Sequence, residues 1–452
     1  MLPDIMSGYS QALIATYETR VPRYTSYPTA PYFLAAGHDG TYREWLAELD
    51  PAEPISLYLH VPFCAAMCWY CGCNTQVAKS YAPISDYVRL LEREIGLVAR
   101  NLPARMRVSH VHWGGGTPNS LTPGDFASLM ASLRRRFDIL EGAEIAVEID
   151  PRYLTPEQVA AYAAAGVTRA SLGVQTLDEK IQRAINRVQP FPRIAAAARR
   201  LREAGIHRLN FDLIYGLPGQ TTADVVATVA ESLLLNPDRI ALFGYAHVPW
   251  AKAHQRRIDE TALPHGPERL DQFLAAARHL AQSGYVQIGL DHFARADDPL
   301  AVAAAAGQLH RNFQGYTTDA AATLIGLGPS AIGALPQGYV QNDPGFRAWA
   351  QHVGEDHLPI ARWRGLIEDD RRRRAIIERL MCDGRVDLDG FGGWSGFPEA
   401  RGRLDGMVEA GLVELDDHGV TVTDYGRPFL RAAASAFDRY LGLGTAQHSS
   451  GV

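Results

Sequence analysis

From Ile55 onward the chain alternates short runs rich in apolar and β-branched residues with longer segments whose apolar positions recur at helical spacing. The short runs, at 55–61, 108–114, 144–150, 169–175, 208–215 and 239–247, predict β-strands. Between them, Tyr87, Leu90, Leu91, Ile95 and Val98 fall on one face of a helix over 85–102, and Leu177, Ile181, Ala184 and Ile185 repeat the spacing. Strands alternating with helices imply a parallel sheet joined by right-handed crossovers. Six such units fit an α/β fold of the partial (β/α)6, TIM-like barrel kind, and a doubly wound sheet carries the same local signature.

The polar positions favour the barrel. A cysteine-rich loop, the sequence GGGTP, Glu148 with Asp150, Gln175, Asp212 with Tyr215, and Ala246 with His247 all fall at or just past the C-terminal ends of successive strands. In a barrel those ends meet at one mouth, where active sites are built. Residues 1–50, rich in Tyr and Pro with little periodicity, read as an N-terminal arm, 51–340 as the catalytic barrel, and 341–364, irregular and containing Pro and Gly, as a linker. Over 365–443 the pattern changes to helices and then a hairpin at 411–426, the order of a winged-helix-like module, and 444–452 read as a tail. The basic run from Arg371 to Arg374 directly follows Glu368, Asp369 and Asp370, which predicts a solvated helix face.

Composition narrows the class. With 452 residues, 47% of them hydrophobic and 21% charged, the chain can bury a large core and is expected to hold more than one domain. A formal net charge of -6 gives no general attraction to nucleic acid or an acidic membrane. The first twenty residues lack a basic start followed by an apolar core, and no apolar run approaches the ~20 residues of a membrane span. The expected location is cytoplasmic, with neither a membrane nor a nucleic-acid partner, and the chain is expected to act as a monomer.

Cysteine usage supplies the candidate chemistry. Four of the five cysteines, Cys64, Cys68, Cys71 and Cys73, lie within ten positions. Clustered thiols without partners elsewhere fit a reducing compartment, where they serve metals and not disulfides. Cys64, Cys68 and Cys71 read C-x3-C-x2-C, a loop able to wrap three thiolates around an iron-sulfur centre, whereas a structural zinc site draws on two separated ligand pairs. Three ligands would leave one iron of a cubane open to an outside molecule.

This loop resembles the cluster motif of the radical S-adenosylmethionine enzymes, and the following Gly72-Cys73 resembles their branch of oxygen-independent coproporphyrinogen III oxidases. RYTSYPT (23–29), HWGGGTP (112–118), VEIDP (147–151), FDLIYGLPGQ (211–220), GYAHVP (244–249) and HRNFQGYTT (310–318) resemble the same family in its order. The resemblance implies a 4Fe-4S cluster on Cys64, Cys68 and Cys71, with S-adenosyl-L-methionine at its open iron. It implies hydrogen abstraction from two propionate side chains of coproporphyrinogen III by a 5'-deoxyadenosyl radical, with loss of CO2 and one further electron each, to give the vinyl groups of protoporphyrinogen IX. An electron donor and an electron acceptor are implied as partners. A haem chaperone of the same superfamily is the nearest alternative; Cys73 and the RYTSYPT arm favour the oxidase.

Residue by residue, the resemblance places Tyr58, Gly115, Glu148 and Ile332 around the first S-adenosyl-L-methionine. Tyr70, Gly116, Thr117, Gln175, Arg187, Asp212 and Ala246 match contacts to a second. Tyr58, Cys73, Phe313 and Gln314 match positions at the reacting centre, and the arm is placed near the mouth. Read without the family, GGGTP is a tight turn, Tyr58 a half-buried strand residue, Ile332 core, and Phe313-Gln314 a loop. Arg187 could be an exposed helix residue, and Asp212, inside an apolar run, needs a hydrogen-bonding or cationic partner. Tyr70 and Trp69 stand where the family often has Phe and Tyr, which keeps an aromatic at each position.

Overall fold

The computed structural model describes residues 9–18 and 20–443, so the expected tail at 444–452 lies outside the described residues. All six expected strands form. They are β1 (Ile55–Val61), β2 (Arg107–Gly115), β3 (Asp138–Ile149), β4 (Arg169–Gln175), β5 (Arg208–Tyr215) and β6 (Arg239–Gly244), paired in parallel in that order. Helices cover their outer side, and two of them open on Thr followed by Pro. Thr122 and Thr155 each accept a hydrogen bond from a backbone N–H of the first turn, while the proline occupies a position that has no intrahelical donor to lose.

The sheet continues past both ends of this parallel core. The hairpin β7 (Tyr285–Ile288) and β8 (His292–Arg295) adds antiparallel to β6. At the other end β9 (Thr323–Leu327) joins β1 in parallel as a seventh strand of that sense. A meander of β10 (Ile332–Leu335), β11 (Gly338–Asn342) and β12 (Ile360–Gly365) follows it, and Leu34–Ala35 pairs with β12. The result is one open sheet of thirteen strands.

Two expected boundaries are corrected. The segment 341–364 is not a linker: it holds the helix Phe346–Gly354, whose Trp349 and Val353 enter the main core, and β12 of the central sheet. Its Pro344, Gly345, Gly354 and Pro359 punctuate short elements instead of breaking structure altogether. Likewise the last part of the expected arm is a helix, Gly40–Ala47, with Tyr42 and Leu46 buried in the same core.

Strands β4 and β5 show how the site is made. A parallel sheet covered on both faces usually reads as a continuous apolar run. Here burial alternates strictly. Ala170, Leu172, Val174, Leu209, Phe211 and Leu213 pack under the helices, while Ser171, Gln175, Asn210 and Asp212 line a cavity on the opposite, concave side. The period-2 side-chain geometry of a strand thus sorts core from chemistry.

The C-terminal module has the order helix Glu368–Asp383, strand Arg385–Asp387, helix Pro398–Glu409 and hairpin Val413–Leu415 with Gly419–Val422, its three strands forming a small sheet. The arm packs on it: Ile14, Tyr24 and Tyr27 share a core with Ile376, Leu380, Phe397 and Leu404. The expected solvated basic face is corrected as well. Arg373 is buried and paired with Asp369 and Glu399, Arg372 donates to the Phe391 carbonyl, and Arg374 lies over the Tyr339 ring. Among the described residues no helix is long and apolar enough to cross a membrane.

Candidate active site

The cysteine loop leaves the C-terminal end of β1 and is held by its backbone from several directions. The Trp69 N–H donates to the Ile185 carbonyl at 3.0 Å, and Asn186 donates to the Met67 carbonyl at 2.8 Å. Gln255, His254 and Lys252, around the short helix Ala253–Arg257, hydrogen-bond to the carbonyls of Tyr70, Cys71 and Cys73 at 2.9, 2.7 and 3.0 Å. A loop whose carbonyls are satisfied by three side chains from one short segment keeps its own side chains in fixed directions. These clamp residues carry no motif, and nothing in the sequence singled them out.

All four cysteines of the loop are free thiols lining one cavity of about 180 Å³. The hydrogen bond Cys71 takes from the Cys73 side chain, aided by the Cys73 backbone N–H and the charges of His254 and Lys252, pulls the Cys71 thiol down to about 6. The same bond and the Cys71 charge push Cys73 up. Burial pushes Cys64 up to about 12. Cys68 accepts from Arg152 Nη2 and Arg187 Nη1, each at 3.4 Å. Among the described residues no three His, Cys, Asp or Glu groups converge tightly enough to hold a single metal ion. Cys64, Cys68 and Cys71, soft sulfur donors that line one cavity from a single loop, suit an iron-sulfur cluster.

The same cavity collects most of the other expected residues. Tyr70, Gly115, Gly116, Thr117, Glu148, Gln175, Arg187 and Asp212 line it together with Cys64, Cys68, Cys71 and Cys73. Glu148 binds His112 Nε2 at 3.1 Å and accepts from the Gly115 N–H at 3.2 Å. Gln175 sits at a register shift at the end of β4 with φ 68, a left-handed conformation uncommon for a residue with a side chain and frequent at functional strand ends. Asp212 accepts from Ser171 at 2.8 Å and from Asn210 at 2.8 Å, so its partners are neutral; burial and the nearby Glu148 push its carboxyl up to about 6.

Arg187 is buried, not an exposed helix residue. It reaches Asp150 at 3.4 Å and the Gly173 carbonyl at 2.6 Å, and Arg152 pairs with the same Asp150 at 2.7 Å. Against the cost of burial, Arg187 and Arg152 hold the Asp150 carboxyl below the usual range. Asp150 at its strand end and Arg187 at the second cofactor are expected from the sequence; Arg152, which completes their group beside Cys68, is not. Its only sequence signal is the acidic-Pro-Arg run that ends β3.

The glycines of GGGTP have local causes. A Cβ on Gly116 would lie 2.5 Å from the Phe63 carbonyl oxygen and from Thr75 Oγ1, and the N–H groups of Gly116 and Thr117 donate to Val61 and Phe63 at 2.7 and 2.8 Å. Strand end and cysteine loop therefore nest backbone to backbone, a close approach that a side chain would block. Thr117 Oγ1 accepts from the Asp150 N–H at 3.1 Å, and so also fixes that group.

Five expected residues lie beyond this cavity. Tyr58 donates to His60 Nδ1 at 2.9 Å and its ring lies 5.8 Å from His112, behind Glu148. Gln314 lines a larger chamber of about 310 Å³ on the concave face of the sheet, to which Cys73, Glu148, Gln175 and Asp212 also belong. Phe313, its neighbour, faces a third cavity under the arm, while Ile332 and Phe313 pack against an apolar cluster with Phe33 and Tyr339. Ala246 follows β6, its carbonyl accepting from Gln255 at 3.2 Å.

A parallel sheet whose strand ends gather a C-x3-C-x2-C loop around one cavity defines a radical S-adenosylmethionine protein, and the family model described as the Radical SAM superfamily matches residues 58–231. A solved coproporphyrinogen III oxidase from Escherichia coli superposes with a TM-score of 0.88 at 38% identity, over 93% of this chain and 100% of that one. The oxygen-independent coproporphyrinogen III oxidase of Bradyrhizobium diazoefficiens is 53% identical over 440 residues, 96% of this chain and 98% of that protein, and the one from Salmonella typhimurium is 41% identical over 95% of each. The chain belongs to the family of oxygen-independent coproporphyrinogen III oxidases.

Proposed function

We infer that this chain is the oxidoreductase that converts two propionate side chains of coproporphyrinogen III to vinyl groups without oxygen, giving protoporphyrinogen IX for haem biosynthesis. The observation that carries the reading is the cavity in which Cys64, Cys68 and Cys71 meet Glu148, Asp212 and Arg187, in a chain alike over nearly its whole length to enzymes of that name. Cys64, Cys68 and Cys71 are assigned as the thiolates for a 4Fe-4S cluster, and Tyr58, Gly115, Glu148 and Ile332 as residues about S-adenosyl-L-methionine. When bound, these cofactors supply an electron and an organic radical able to take a hydrogen atom from a carbon that acid-base chemistry does not reach.

The chain's own part is positioning and exclusion of water. The clamp from Lys252 to Gln255 holds the loop, and the guanidinium groups of Arg152 and Arg187 fix the Cys68 side chain, with Asp150 balancing their charge. Glu148, tied to His112, offers a carboxylate to a cationic amine. Cys73 stands where the thiol cavity meets the larger chamber, so it is assigned beside the reacting carbon with Gln314 and Phe313. Each conversion removes one hydrogen atom, CO2 and one further electron, so the enzyme works with an electron donor and an electron acceptor.

A second S-adenosyl-L-methionine is assigned to the side of the cavity formed by Tyr70, Gln175, Arg187 and Asp212, with Gly116, Thr117 and Ala246 shaping its edge. Supporting this, Arg187 Nε is buried without a hydrogen-bond partner, and Gln175 and Asp212 line both cavities. The test is an anaerobic reaction of reconstituted protein with a reductant, S-adenosyl-L-methionine and coproporphyrinogen III, following protoporphyrinogen IX, CO2 and methionine. Turnover with CO2 release is the expected result. Tight haem binding without turnover would identify a haem chaperone instead.

A further inference from the structure

The RYTSYPT arm has a place in the structure that the cofactor sites do not explain. Tyr24 donates to Asp438 at 3.1 Å, the Tyr27 N–H donates to the Tyr339 hydroxyl at 3.3 Å, and the Arg439 N–H donates to the Tyr27 hydroxyl at 3.0 Å. These bonds pin the arm across the junction of the sheet and the C-terminal module. Arg23, at the head of the motif, is thereby brought to the C-terminal end of β6, where its Nη2 donates to the Gly244 carbonyl at 3.1 Å.

Around that point four guanidinium groups from four separate parts of the chain line one small cavity of about 40 Å³. They are Arg23 of the arm, Arg269 of the helix Gly266–Gln282, Arg311 of HRNFQGYTT and Arg431 of the C-terminal module. Asp291 is the single carboxylate in that lining. Arg311 stacks 4.3 Å over the Tyr316 ring and gives Nη2 to the Arg23 carbonyl at 3.2 Å, while its Nε and Nη1 are buried and have no hydrogen-bond partner. A buried donor without an acceptor costs free energy and calls for an explanation, and a guanidinium fork is the group whose geometry matches a carboxylate.

The cavity is also linked to the reaction chamber through shared wall residues. Arg311 lines the neighbouring cavity under the arm as well, and that cavity shares Asn312, Thr317 and Asp319 with the chamber on the concave face. We propose that Arg23, Arg269, Arg311 and Arg431 form the subsite that takes a propionate carboxylate of the tetracarboxylate substrate, one not undergoing reaction, and so set its position against the cysteine loop. The proposal rests on the substrate class inferred above. It gives the arm and the C-terminal module a shared purpose, since each supplies an arginine that the sheet by itself lacks.

The test compares coproporphyrin III, a stable fluorescent tetra-acid, with its uncharged tetramethyl ester, titrated into reconstituted holoenzyme and into the variants Arg311→Gln and Arg23→Gln. Iron content and unfolding midpoint serve as folding checks, and Arg23, at the exposed edge of the group, is the variant least able to disturb the core. Removing one charge-assisted pair weakens binding by on the order of 10- to 100-fold. The expected result is that loss for the tetra-acid, little change for the ester, a similar rise in KM for coproporphyrinogen III, and partial rescue by Arg311→Lys. Folded Arg311→Gln and Arg23→Gln that bind the tetra-acid as the parent does, in a preparation that still turns over, would overturn this subsite and leave the enzyme assignment standing. A parent protein that neither binds coproporphyrin III nor consumes coproporphyrinogen III would overturn the assignment itself.

Discussion

On β4 and β5 Ser171, Gln175, Asn210 and Asp212 are withheld from the core and line a cavity, whereas the C-terminal module closes over Ile376, Leu380, Phe397, Leu404 and Leu412, all fully buried and apolar. The two regions solve opposite problems. Keeping Asp212 and the Asp150–Arg152–Arg187 group away from bulk water costs stability unless every charge finds a partner. Covering the module's helices with leucine and phenylalanine stabilises it at once. The difference teaches where to look: polar groups kept in a low-dielectric cavity mark chemistry, and a dry apolar core marks support. The module's arginines fit this division, since Arg373 is spent on Asp369 and Glu399 within the module and Arg431 reaches out to the arginine group under the arm.

The sharpest way to break the comparison is to alter the thiols. Cys64→Ser, Cys68→Ser and Cys71→Ser should each lose the iron and reduce anaerobic turnover by a factor on the order of 10³ or more, a loss typical of removing a group that acts as part of a unit. Cys73→Ser should keep the iron and lose turnover. Equal iron loss in all four variants would show that Cys73 belongs with the ligands.

In the module, Phe397→Ala or Leu404→Ala removes a side chain with no exposed surface and should cost about 3–5 and 2–5 kcal/mol respectively, read from urea unfolding. Variants that unfold like the parent would mean that this core is less closely packed than described. Between these extremes lies Gly116→Ala, whose Cβ must displace the Phe63 backbone. It should loosen the cysteine loop, seen as slower cluster reconstitution and faster proteolysis within residues 64–76.

A pH experiment sharpens the polar side. Asp212, held at about 6, binds its proton more tightly in the folded than in the unfolded chain. Its contribution therefore favours folding at low pH, fades as pH rises from the ordinary carboxyl value through about 6, and leaves a penalty above that. Asp212→Asn should raise the unfolding midpoint at pH 8 by a few degrees and leave it unchanged near pH 4. Equal midpoints at pH 8 would place the Asp212 carboxyl in the ordinary range. The smallest effect belongs to the exposed pair Arg199–Glu203 on an outer helix: Arg199→Ala should change stability by no more than about 0.5 kcal/mol.

What the amino-acid order determined by itself is what short-range pattern can carry. The six core strands and the period-2 division of β4 and β5 depend on neighbours a few positions apart, and the spacing of Cys64, Cys68 and Cys71 places three thiols in one loop whatever lies around it. Only the tertiary structure decided the rest. The segment 341–364 looked like a connection because its short elements draw their stability from β11 and from the core under Trp349, more than two hundred residues away in sequence from the helix that receives that side chain. The clamp of Lys252, His254 and Gln255, the pairing of Asp150 with Arg187, and the four arginines gathered under the arm have no local period at all. Each joins residues that meet only when strands, arm and module close on one another, and the free energy of such a contact is set by the low-dielectric space that closure creates.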